Sequence, residues 1–82
     1  MIKDLELVAL TRSLPPYGLE RGDIGTVVMA YDGGRGYSVE FMTLTGETLA
    51  IATVDAADVR PLRSREIANA RAVASADRKS VV

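Results

Sequence analysis

The 82-residue chain contains no cysteine, no histidine and no tryptophan. The first two absences remove whole classes of chemistry. Zinc centres need thiolate or imidazole ligands, and the common nucleophile–base triads need a histidine. A chain this small buries only ~60% of its unfolded surface, and disulfides or a structural metal usually supplement such a core. Neither is open to this sequence, so the core is expected to be wholly apolar, helped by any self-association. Zero cysteines also fit a reducing compartment, and the chain is read as cytoplasmic. No apolar run approaches the ~18 residues that cross a bilayer. The opening MIKDLELVAL carries acids inside its apolar stretch, unlike a secretory signal. No membrane association is expected.

Charge is nearly balanced overall, at −1, but it is unevenly spread. Residues 1–62 hold five basic and nine acidic side chains, and residues 63–82 hold five basic and two acidic. The body therefore carries −4 and the tail +3. An acidic body repels phosphate backbones, so nucleic acid is not an expected partner unless the tail supplies the attraction.

What is present is a period-two pattern punctuated by turns, the mark of a small all-β domain. The spacing predicts strands over about Asp4–Thr11, Gly25–Tyr31, Tyr37–Met42, Glu47–Val54 and Val59–Leu62. The adjacent Leu7 and Val8 leave the inner face of the first strand open. The second strand is apolar on both sides, as in a central strand. The third alternates most cleanly, and Tyr37, Val39 and Phe41 are expected to face the core. In the fourth, Leu49 and Ile51 are expected inward. Pro15 and Pro16 favour an extended loop. Gly22 and Gly46 are expected at positive φ in turns. Asp55–Asp58 reads as a single helical turn capped by Asp55, and Pro61 requires that the last strand lie at an edge. The domain is taken as residues 1–62. Residues 63–82 form a basic Ala/Arg-rich tail, helical or disordered, with a weak apolar stripe at Ile67, Ala70, Val73 and Ala74. A lone helix of that length is marginal in water.

The runs LELVALTRSLP, GLERGDIGTVV, YSVEF and TGETLAIATV, spanning roughly residues 2–62, resemble the bacterial domain of unknown function 4926. That resemblance implies a five-stranded SH3-like barrel and no established activity. GDIGTVV followed by VEF is also distantly similar to KOW-type domains of transcription and ribosomal proteins. KOW-type RNA binders are basic, whereas this body is acidic.

The carboxylates fall on turns and outward strand positions, where solvation is the ordinary role. Asp23, after Gly22, reads as a turn residue, and Glu40 and Glu47 flank one hairpin. Asp32–Gly36 lacks the GK[ST] ending and the following helix of a phosphate loop, and reads as a hairpin tip. The chain is therefore read as non-enzymatic, with no cofactor and no metal. Arg12, Arg21, Arg35 and Arg60 are candidates for an anion or acidic partner, with solvated surface as the alternative. The candidate partner-binding residues are Pro15, Pro16, Tyr17, Tyr31, Arg35 and Tyr37. If Tyr17 and either of the other tyrosines converge they form an aromatic groove; otherwise each packs over an end of the barrel. The terminal Ser80-Val81-Val82 has the S-x-V form that carboxylate-capturing grooves accept. The leading expectation is a protein-interaction module that binds a protein partner or itself. A KOW-like nucleic-acid module anchored by the tail and an accessory subunit of an enzyme complex are the alternatives.

Overall fold

The computed structural model describes residues 2–73. Five strands form one antiparallel sheet: β1 (Leu7–Leu10), β2 (Ile24–Tyr31), β3 (Gly36–Met42), β4 (Thr48–Asp55) and β5 (Val59–Pro61). Their spatial order is β4-β3-β2-β1-β5. Two 3-10 turns, Pro15–Tyr17 and Ala56–Asp58, sit in the connections, and the described residues contain no α-helix. The first strand thus lies between the second and the last, with Val8 opposite both Gly25 and Pro61.

One face of this sheet is dry. Val8, Val27 and Val39 are fully buried, and Leu10, Tyr37, Phe41, Ala52, Val54 and Val59 join them in a single cluster. Leu14 and Leu19, bridged to each other in the β1–β2 connection, close one end of it. A sheet needs a second layer to bury an apolar face, and among the described residues no helix supplies one. The sheet curls over itself instead. Two register shifts assist the bend, one at Val27/Met29 and one at Phe41/Met42, because an extra residue in one strand sharpens its twist. No ladder joins β4 to β5 among the described residues, so the curled sheet has two edges.

The five strands, the inward Tyr37, Val39 and Phe41, and the edge position of Pro61 match the sequence pattern. Gly22 and Gly46 have φ of 92° and 95°, as their turns require. Asp55 holds the N-cap of the second 3-10 turn in a capping box with Asp58. Other expectations need correction. Strand β1 begins only at Leu7, because Leu5 has a φ of 66° that breaks an extended run. Its inner face is Val8 and Leu10, and Leu7 is half-exposed. Pro15 and Pro16 do not run extended. Their fixed φ suits the first turn of a helix, and they open a 3-10 turn that left-handed Gly18 ends. Strand β2 is not buried on both sides, since Val28 and Met29 face outward from a single-layered sheet.

Strand β4 is inverted relative to its apolar pattern. Leu49 and Ile51 are exposed, while Ala52 and Val54 are buried. The cause is size. Ala50 lies opposite Phe41, Ala52 opposite Val39 and Val54 opposite Tyr37, so the bulk of β3 fills most of the interior and side chains no larger than valine face it from β4. The tail was open to either a helical or a disordered state, and residues 62–73 form no helix. Within them one backbone hydrogen bond is present, from Glu66 N–H to Arg63 O. The remainder of the tail, including Ala74 of the apolar stripe and the S-x-V ending, lies outside the described residues.

Candidate functional site

The β1–β2 connection brings the proline–tyrosine segment against the end of β4. Arg12, Leu14, Pro15, Pro16 and Tyr17 face Thr53, Val54, Asp55 and Asp58 across a groove of about 280 Å³. An ion pair fixes its geometry. Arg12 Nε donates to Asp58 Oδ1 at 2.8 Å, and Asp58 Oδ2 accepts the Asp55 N–H at 3.3 Å. The Thr11 hydroxyl donates to Ala57 O at 2.8 Å. Hydrogen bonding from Arg12 holds the Asp58 carboxyl below the ordinary carboxylate range. Asp58 therefore ties the second 3-10 turn to the far end of β1.

The sequence candidates separate into three places. Pro15, Pro16 and Tyr17 are exposed along this groove. Tyr31 lies on the outer face of the sheet, where its hydroxyl shares a 2.6 Å hydrogen bond with Ser38 Oγ. Tyr37 is a core residue, 3% exposed, and offers no surface to a partner. Its place in the period-two alternation with Val39 and Phe41 overrides its proximity to the hairpin. Arg35 stays at the hairpin tip with its side chain exposed, and its carbonyl accepts the Ala56 N–H at 2.9 Å. The tyrosines do not converge, so no aromatic groove forms.

A second groove, about 430 Å³, was not foreseen. The body contributes Leu19, Ile24, Phe41, Met42, Leu44 and Leu49 to it, and the tail residues Ala68–Arg71 and Val73 form another wall. Arg71 fastens the tail there. Its Nε donates to Asp23 Oδ1 at 2.9 Å and its Nη2 to Asp23 Oδ2 at 2.5 Å. Asp23 also accepts the Glu20 N–H at 2.8 Å, so it is the turn residue its position suggested and an arginine partner besides. Further back, Arg60 pairs with Glu66, whose carboxyl is pulled down to about 2, chiefly by that guanidinium. The Asp23–Arg71 pairing joins residues 48 apart in sequence, whereas Arg60 and Glu66 are six apart. The one sequence signal for the Asp23–Arg71 pair is the split between an acidic body and a basic tail.

Most of these acids thus have structural partners. Glu40, too, accepts the Thr48 hydroxyl at 2.6 Å. Among the described residues no group of three or more acidic side chains is placed to hold a metal ion, and no helix is long and apolar enough to cross a membrane. Residues 5–61 match the family described as Domain of unknown function (DUF4926). No curated protein and no solved structure matches the chain.

Proposed function

We propose a protein-binding role from one premise: the chain belongs to the DUF4926 family, and a family so described brings no activity to transfer. The observation that carries the reading is the edge of β4, which pairs with no strand on its outer side among the described residues. This strand is eight residues long, ends the sheet, and contains neither lysine nor proline. Leu49 and Ile51 are exposed on it. Both grooves abut it, one at Thr53–Asp55 and the other at Leu49. An uncovered edge offers a row of backbone donors and acceptors to an incoming strand. Flanking pockets can then select alternate side chains of that strand. The mode is strand addition by a partner protein or a second copy.

The arginines favour this reading over nucleic-acid binding. Arg12 and Arg60 are paired with Asp58 and Glu66, so they bring little net positive charge to a phosphate backbone. The test is isolation of the tagged chain at its native level after mild crosslinking. The wild type should retain one protein, or itself, at fixed stoichiometry. Ile51→Lys, a charge placed on the edge, should lose that protein while its melting transition stays within about 2 °C, as for an ordinary surface change. Retention of the same partner by Ile51→Lys would exclude β4. Salt-sensitive RNA in place of protein would exclude the role itself.

A further inference from the structure

The turn that receives Arg71 is assembled without the tail. Asp23 N–H donates to Glu20 O at 2.9 Å, Glu20 N–H to Asp23 Oδ2 at 2.8 Å, and Gly22 N–H to Leu10 O at 2.9 Å. Leu10 N–H returns a bond to Asp23 O at 2.9 Å, and Arg21 N–H reaches Ser13 Oγ at 3.1 Å. Four acceptors lie around one point beside this turn: both oxygens of Asp23, the Gly18 carbonyl and the Glu20 carboxylate. The Arg71 guanidinium meets all four, with Gly18 O at 3.3 Å and Glu20 Oε2 at 3.5 Å. A fork of this kind, two parallel bonds to one carboxylate, selects arginine over lysine.

The tail's own grip is slight by comparison. From residue 67 to residue 73 no backbone hydrogen bond to the body is present among the described residues. The side chains beside Arg71 are mostly methyl groups, and Ala68, Asn69 and Ala70 are exposed. A preformed receptor is therefore occupied by a segment whose hydrogen bonds to the body, among the described residues, all come from the Arg71 side chain. The apolar groove beside it, walled by Leu19, Ile24, Phe41, Met42 and Leu49, remains open at about 430 Å³.

We infer that the acidic Gly18–Asp23 turn and its adjoining apolar groove form a binding site for an extended arginine-bearing segment of a partner protein, and that the chain's own Ala70-Arg71-Ala72-Val73 occupies the arginine part of it as a tethered competitor. The partner segment places an arginine on Asp23 and an apolar side chain, larger than alanine, in the groove. Tethering gives the tail an effective concentration on the order of millimolar, so a partner binds only when its apolar contacts outweigh the tail's. The site adjoins the β4 edge at Leu49 and deepens the protein-binding reading above; its test uses variants at Arg71, Asp23 and Glu20, away from Ile51.

The probe is a fluorescein-labelled peptide with the sequence of residues 66–73, titrated by anisotropy into the full-length chain. Arg71→Ala should bind it at least tenfold more tightly than the wild type, whose own arginine competes. The same peptide with alanine in place of its arginine should not bind either protein. Asp23→Asn added to Arg71→Ala should abolish binding, and Glu20→Gln serves instead if Asp23→Asn melts early. Equal affinity for wild type and Arg71→Ala, no binding to Arg71→Ala, or equal binding of the arginine-free peptide would overturn the inference.

Discussion

Gly25 shows how tightly the interior is drawn. It lies within β2, opposite Val8, at an ordinary φ, so the constraint is space and not backbone conformation. A methyl group built on it would stand 2.6 Å from Val39 Cγ1, 2.8 Å from Phe41 Cε1 and 2.9 Å from the Glu40 carbonyl. None of the three is a flexible chain end. Glycine here lets β2 and β3 approach while the sheet curls. Gly25→Ala is expected to destabilise by about 1–3 kcal/mol, the range for overpacking a filled core. The adjacent Thr26→Ala, half-buried on the opposite side, should stay within about 0.5 kcal/mol. Urea unfolding of both variants checks this, and equal midpoints would mean that β2 can shift to admit the methyl. The sequence marked Gly25 as the start of a strand, but a clash with a neighbouring strand cannot be read along one chain.

At the scale of elements, legibility followed the contrast between the two faces. Strand β3 was readable because its large residues alternate with Ser38 and Glu40. Strand β4 was not, because Leu49, Ala50, Ile51 and Ala52 put apolar groups on both faces, and the packing chose the smaller set. Of the two states open to the tail, helical or disordered, residues 62–73 show no helix. Its alanines satisfy a helical pattern, but its attachment runs through Arg60–Glu66 and Arg71–Asp23, and the second pair, 48 residues apart, is encoded by no local pattern. These attachments depend on pH. Arginine hydrogen bonds lower the carboxyl pKa of both Glu66 and Asp23 in the folded chain. A depressed folded pKa gives stability that is present above the unfolded value, about 4, and is lost as pH falls through the folded value. The tail should therefore be fastened at pH 5 and released towards pH 2. Amide chemical shifts of Ala68–Ala70 should move over that range, with the Glu66 transition near 2. In Arg71→Ala those amides should already sit at their released positions at pH 5. Shifts that stay flat in the wild type would contradict the attachment.

Over the whole molecule, the topology places the first strand beside the last. Their ladder runs from Val8–Pro61 to Leu10–Val59, so it joins the first and last strands of the chain and forms only after most of the chain is threaded into place. Pairings so distant in sequence are slow to close. They also give the fold a direction of mechanical weakness. The beginning of β1 and the end of β5 lie at the same end of their ladder, so tension applied there peels the pairs apart one after another. Tension between the end of β1 and the end of β5 instead loads every pair at once. Because the chain has no cysteine of its own, handles can be attached through Glu6→Cys with Leu62→Cys for peeling, and Thr11→Cys with Leu62→Cys for shear. Optical-tweezers traces should show the first pair yielding at a clearly lower force, and equal forces would mean that some other contact bears the load. A partner that tugs on both flanks of this sheet would open it like a zip, while one that pulls across the ladder would meet its full resistance.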